Sequence, residues 1–452
     1  MKHQLDDLVV VLPGVMGSEL RDRSGDAVWS TTMGSLMKGV LTRGKAIKRL
    51  QLPDDIGDGA APDGVVATAF MSDIHVIPGI WSVSIGYDRL VSWFHDTFET
   101  GPGNLVLFPY DWRLSNRASA AALGRTIEPL LEQFRAQPGR ADAKVVFVGH
   151  SMGGLVARYY VDVLGGHEIT RKIITLGTPH RGAVNALNNL VNGVSKGFGP
   201  LKIDLTEMAR SMPSLYQLLP EYACIDTSGG LRKTTEVTVP ELGTAQIADA
   251  MRFHDELRAA AATHSAGYDA HPILAQTQPT DTTARIVDNK VETMRTISGR
   301  DDGGDGTVPR LSAVPYGVKP DSPTVRYVKD KHGALPANDP VLVELEGVLT
   351  ANDVIARDIG ADIGVVTDDL LFAGDGIEAT IEVESGFVID AVLHARNGTT
   401  VTSTIALDRG DDTYEVHLAD VPTGRFVLRV GIRGANESVA SPIAVLPPML
   451  DN

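Results

Sequence analysis

The sequence predicts an α/β fold followed by a smaller all-β module, and three observations carry that reading. Short apolar runs rich in β-branched residues alternate with helical patterns through the first part of the chain, the arrangement of a parallel sheet covered on both faces. A strand pattern, a glycine-flanked serine and a helix pattern follow one another without a break at residues 145–159. From about Gly364 the pattern changes to short alternating runs parted by Gly, Asn, Asp and Pro, as in antiparallel strands.

In chain order, the runs Leu8 to Leu12, Asn104 to Phe108, Lys144 to Val148, Lys172 to Leu176, Met294 to Ser298 and Thr324 to Val328 read as strands buried on both faces. Helical patterns at Tyr87 to Phe98, Ala118 to Arg135 and Met152 to Leu164 lie between them. Two long intervals, about 28–75 and 185–270, break the alternation. Structureless stretches of that length are uncommon inside compact domains unless functional, so both are expected to be insertions forming a cap and lid over one end of the sheet. This assigns residues 1–365 to the α/β part.

The runs Ala379 to Val383, Val388 to His394, Val401 to Leu407, Thr413 to Leu418 and Phe426 to Ile432 assign residues 366–452 to a separate β-sandwich of immunoglobulin-like shape. These residues hold 14 acidic and 5 basic side chains, so more than half of the chain's net charge of -16 lies there. A surface that acidic repels a phosphate backbone, and nucleic acid is not expected as a partner. A protein or carbohydrate partner is expected for this module instead.

The single Cys224 excludes an internal disulfide, and Met1 to Asp7 carries two acids where a signal peptide needs positive charge. No stretch reaches the roughly 18 uncharged apolar residues of a spanning helix. A cytoplasmic location is therefore expected.

The chemistry centres on Val145 to Gly154, where a strand leads into Gly149-His150-Ser151-Met152-Gly153 and then a helix. A serine nucleophile must stand clear of the sheet on a tight turn, and small flanking residues let the strand and helix backbones pass closely. Ser151 then sits at a helix N-terminus, where free N–H groups favour a developing anion. A hydroxyl needs a base, and the base needs an acid to hold its tautomer. In this strand–elbow–helix setting an Asp and then a His are expected later in the chain. Asp305, in Asp301 to Pro309, and His332, in Lys331 to Leu335, fill those places, with Asp301 and Asp302 as rival acids. The acid-rich loop fails the calcium-loop spacing, since its third position is Gly303 and its twelfth Ser312, and neither metal nor cofactor is expected. Two N–H groups are expected to form an oxyanion hole: that of Met152, and one from the loop Leu12 to Ser18, with Val15 as donor or Met16 as the alternative.

Taken with the elbow, the runs Leu12 to Ser18, Phe108 to Leu114 (Phe-Pro-Tyr-Asp-Trp-Arg-Leu), Thr175 to Gly182, Met212 to Pro220 and Gly304 to Pro309 closely resemble those of the lecithin:cholesterol acyltransferase family of α/β-hydrolases. The resemblance covers about the first 365 residues. It implies an α/β-hydrolase fold and a lipase, phospholipase or acyltransferase using Ser151, Asp305 and His332, with a lid near the start of the chain. The lid disulfide of secreted animal relatives has no cysteines to form it here. Asp111 and Arg113 read first as a structural ion pair, with Trp112 a possible wall of an acyl site.

In the presumed lid, Lys38, Arg43, Lys45, Lys48 and Arg49 are interleaved with Leu36, Met37, Val40, Leu41, Ile47 and Leu50. That mixture suits a membrane or micelle surface as well as a solvated helix over core residues. Ile77 to Val83 is a second apolar stretch beside it. Two functions are therefore carried forward. The first is a serine hydrolase that cleaves or transfers the acyl group of a lipid-like carboxylic ester through an acyl-Ser151 intermediate. The second is a non-catalytic lipid-binding scaffold whose β-sandwich binds a partner protein. On the first, a chain ending near Ile363 is expected to fold and to hydrolyse a short soluble ester.

Overall fold

A computed structural model of the protein describes residues 2–30, 49–53, 56–59, 61–71, 87–101, 103–196, 203–263, 267–350, 363–384, 386–433 and 438–447. Six strands make the central sheet: β1 Leu8–Leu12, β2 Leu105–Leu107, β3 Val145–His150, β4 Thr170–Leu176, β5 Asp269–Ala275 and β6 Arg326–Val328. Their order in space is β6-β5-β4-β3-β1-β2, with all neighbours parallel.

Helices α1 (Asp88–Thr97), α2 (Asn116–Arg135), α3 (Met152–Arg158) and α4 (Thr244–Thr263) lie between these strands and α5 (Asp339–Thr350) follows β6, and α3 runs on into a π-helical turn at Tyr159–Val163. The pleat divides the core. Leu8, Val10, Leu12 and Phe147 pack with Leu123, Ile127 and Leu131 of α2 and with α3. Val9, Val11, Val146 and Val148 pack with Leu90 and Phe94 of α1 and Leu342 and Leu345 of α5. A sheet buried on both faces explains why its strands read as continuous apolar runs.

One expected strand is corrected. Residues Met294 to Ser298 are not part of the central sheet, because Lys290–Met294 pairs antiparallel with Thr283–Val287 in a separate four-stranded sheet with Ile225–Thr227 and Gly230–Arg232. The strand between β4 and β6 is β5, which begins inside the interval 185–270 read as insertion. Its start, Asp269-Ala270-His271-Pro272, hides the apolar run from the pattern. Pro272 is tolerated because pairing with β6 begins only at Ile273.

Most of the expected lid, including Lys38, Arg43, Lys45, Lys48, Leu36, Met37, Val40, Leu41 and Ile47, lies outside the described residues, as does Ile77 to Val83. Arg49 and Leu50 are described. Arg49 pairs with Asp22, and Leu50 is buried in the core.

The C-terminal region comprises β7 Gly364–Thr367, β8 Leu370–Phe372, β9 Ile377–Glu382, β10 Ile389–Ala395, β11 Thr400–Ile405, β12 Leu407–Gly410, β13 Thr413–Leu418, β14 Gly424–Ile432 and β15 Ser438–Leu446. They form two sheets, β7-β9-β13-β12 and β8-β15-β14-β10-β11. Inward residues of both, such as Ile377, Ile381 and Val416 against Ile389, Leu393 and Leu428, share one apolar cluster, which makes the region a sandwich. Strands β9, β10 and β13 alternate buried and more exposed positions, but Val439 to Val445 of β15 are buried without a break. Among the described residues no helix is long and apolar enough to cross a membrane.

Candidate active site

Ser151 is the single residue between β3 and α3, with φ 52° and ψ −126°. A side chain in that region is strained, and the strain persists because the flanking elements leave no alternative. A Cβ on Gly149 would lie 2.6 Å from the Gly154 Cα, and one on Gly153 would lie 2.5 Å from the Pro13 carbonyl oxygen. The sequence therefore folds here as a sharp turn with strand, helix and the Leu12 to Ser18 loop in backbone contact.

His332 and Asp305 arrive from loops far along the chain. His332 Nε2 is 2.9 Å from Ser151 Oγ, and its Nδ1 is 2.6 Å from Asp305 Oδ2. A carboxylate can only accept, which puts the proton on Nδ1 and leaves Nε2 to accept from the serine hydroxyl. The other oxygen of Asp305 accepts from the N–H groups of Thr307 (2.9 Å) and Val308 (2.6 Å), and the His332 N–H donates to the Asp305 carbonyl at 2.8 Å. Ser151, Asp305 and His332 are 3%, 2% and 4% exposed, so this chain of bonds runs in a site largely shielded from water. The rival acids lie elsewhere: Asp301 accepts from the Gly303 N–H at 2.9 Å, and Asp302 pairs with Arg300 at 3.3 Å.

The Gly14 to Gly17 turn closes over the serine. A Cβ on Gly14 would sit 3.0 Å from Ser151 Cβ and 3.5 Å from its Oγ. The Gly17 N–H donates to the Gly14 carbonyl at 3.0 Å, with Val15 and Met16 between them and Met16 at φ 61°. Met152 is the first residue of α3, where a backbone N–H has no acceptor within the helix. The Phe108 to Leu114 run props this turn. Tyr110 Oη donates to the Pro13 carbonyl at 2.8 Å, and Trp112 Nε1 donates to that of Ser18 at 3.1 Å. Arg113, fully buried, forks onto Asp111 and reaches Asp63 at 2.7 Å, which is the structural ion pair the sequence suggested.

Two residues in the site were given no role by sequence. The Gly14 N–H donates to Tyr87 Oη at 2.7 Å, and Tyr87 Oη is also 2.7 Å from His150 Nδ1. Burial pushes the Tyr87 phenol above its ordinary range, so it stays protonated and donates to His150. His150 Nε2 then faces the His332 carbonyl oxygen at 3.2 Å. This relay joins the Gly14 turn to the backbone of His332. His150 could have been suspected from its place beside the serine, but nothing local marks Tyr87. Burial holds His180 well below the usual histidine range and His254 at about 4, and neither bonds to Ser151 among the described residues.

A serine, a histidine and an aspartate joined in this order on such a sheet define the α/β-hydrolase class. The family model of lecithin:cholesterol acyltransferase matches residues 61–312, and the chain belongs to that family. It is accordingly an enzyme of the acyl ester hydrolase and acyltransferase kind. No curated protein matches. Among solved structures, Bacillus licheniformis lipase BlEst2 in its propeptide form is similar at 12% identity and a TM-score of 0.36, over 94% of this chain and 72% of that one. Phospholipase PlaB from Legionella pneumophila is similar at 12% identity and a TM-score of 0.35, over 80% and 89%. A thermostable endoglucanase from Alicyclobacillus acidocaldarius matches at 13% identity and a TM-score of 0.16, over 18% of this chain and only 15% of that one.

Proposed function

We propose that the protein is a serine hydrolase that cleaves or transfers the acyl group of a lipid-like ester, with Ser151 as nucleophile, His332 as base and Asp305 as the acid that orients it. The observation that supports this reading best is the unbroken pair of contacts from Ser151 Oγ through His332 to Asp305, at 2.9 and 2.6 Å.

In the first half-reaction, His332 Nε2 takes the serine proton as Oγ attacks the ester carbonyl carbon. The resulting oxyanion is held by the N–H groups of Met152 and of Val15 or Met16. Its collapse expels the alcohol, which takes the proton from Nε2 and leaves an acyl-Ser151 ester. Water or a second alcohol then repeats the sequence and releases an acid or a new ester. Asp305 keeps its charge throughout and offsets the imidazolium that forms twice.

A fluorophosphonate probe tests the reading. Labelling confined to Ser151, and lost in Ser151→Ala, is the expected result. Folded protein that takes no label would favour the lipid-binding scaffold.

A further inference from the structure

The two loops that carry Asp305 and His332 are each tied to the C-terminal sandwich through a buried polar side chain. Gln278, 1% exposed, exchanges two backbone hydrogen bonds with Gly304, the residue before Asp305, at 3.0 and 3.1 Å. Its side chain reaches the other way. Nε2 donates to the Ile363 carbonyl at 2.9 Å, and Oε1 accepts from the Val365 N–H of β7 at 3.1 Å. The Gln278 amide thus does for the start of the sandwich what a neighbouring strand's peptide would do. Thr280 completes the tie, donating to the Gln278 carbonyl at 2.8 Å and accepting from the Gly306 N–H at 2.9 Å, so both neighbours of Asp305 are held.

Asp330, 2% exposed, stands two residues before His332 and has three donors. Oδ1 accepts from the Ala440 N–H of β15 at 3.0 Å and from the Lys331 N–H at 2.8 Å, and Oδ2 accepts from Asn338 Nδ2 at 2.7 Å. Asn338 in turn accepts from the Val341 N–H at 2.9 Å, which links the loop to the first turn of α5. Val439 to Val445 of β15 are buried without a break, and within that run the Ala440 N–H is turned to the α/β part.

We infer that the sandwich is a positioning element of the active site, with Gln278 and Asp330 as positioning residues that set the separation of Asp305 and His332. The inference rests on the proposed triad. Neither residue touches the serine. Each fixes the loop that carries one of the two residues. On this inference a chain ending near Ile363 should lose activity, against the expectation from the sequence, because it takes the Val365 N–H from Gln278 and the Ala440 N–H from Asp330.

The test uses the full-length chain and a short soluble ester. Gln278→Ala and Asp330→Ala should each lower kcat by about 10²-fold with KM changed less than about threefold, the signature of misplaced catalytic groups rather than lost binding. Asp330→Asn should recover most of the loss, since its amide oxygen still accepts from Ala440. Arg295→Ala, which removes an exposed 2.9 Å ion pair to Glu382 across the same junction, should leave kcat and KM unchanged. If an alanine variant gives no cooperative unfolding transition, Gln278→Glu, which keeps an acceptor for Val365 but loses the donor to Ile363, is read the same way. Unaltered kcat in the folded variants would overturn the inference. A wild-type chain whose turnover survives Ser151→Ala would instead overturn the triad on which it rests.

Discussion

The proposed nucleophile and its two partners are held in opposite ways. Ser151 stands on a strand, a one-residue turn and a helix that are continuous in sequence, and the close passage of Gly149 and Gly153 fixes its geometry within a few residues. Asp305 and His332 stand on loops whose positions depend on Gln278, Asp330 and a sandwich that begins more than thirty residues after the histidine. Local construction makes the serine side sensitive to backbone conformation. Remote construction makes the acid and base side sensitive to substitutions that never touch the substrate.

The largest expected effect is on the local side. Ser151→Ala should remove turnover, by on the order of 10⁶-fold, while the thermal midpoint moves little, because the hydroxyl serves chemistry and not packing. Ser151→Gly should be equally inactive yet more stable than Ser151→Ala by roughly 1 kcal/mol, since glycine relieves the strain of a positive φ at this turn. Equal midpoints for the two variants would mean that the elbow stores no strain.

On the remote side, Asp305→Asn should lower kcat by about 10⁴-fold, whereas Asp301→Asn and Asp302→Asn should each stay within about threefold of wild type. The contrast follows from contacts, as only Asp305 meets His332. A ranking in the reverse order would show that the loop rearranges when substrate binds.

The same division explains what could be read from the sequence. The elbow was legible because strand, turn and helix are adjacent, so their signals reinforce one another over about fifteen residues. Asp305 and His332 were legible as residue types in the right chain order, but the strand assigned before Asp305 was wrong. The acid loop does not follow a central-sheet strand at Met294 to Ser298. It follows β5, after a hairpin excursion through Thr283–Val287 and Lys290–Met294. The ties from Gln278 and Asp330 had no local signal at all, because a glutamine that caps a strand 85 residues away looks like any other glutamine until the chain is folded.

A smaller effect is expected at the contact between the two sides. Tyr87→Phe keeps the ring but removes both the acceptor for Gly14 and the donor to His150. The turn over Ser151 loses its fixed height, and kcat should fall by about tenfold with KM nearly constant, as when an oxyanion donor is loosened rather than deleted. If KM rises and kcat holds, the relay shapes the binding site and not the oxyanion hole.

The smallest expected effect is one of pH on stability, and it reports on the Asp330 tie without reference to activity. Burial pushes the Asp330 carboxyl up from 3.8 to about 6, against the pull of Asn338, the Ala440 and Lys331 N–H groups and the Arg429 charge, all of which favour its ionised form. With the pKa raised on folding, the native state binds more protons than the unfolded state between pH 3.8 and about 6. The contribution of Asp330 to stability is therefore complete below that window and is lost as pH rises through it. Asparagine carries no such proton. The midpoint of Asp330→Asn relative to wild type should then rise across this window and level off above it, whatever constant offset the lost bond to Asn338 introduces. Melting curves of both proteins at several pH values check this. Parallel curves would mean that the carboxyl is hydrated in the folded chain, and so not pressed between the His332 loop and β15 as the hydrogen bonds require.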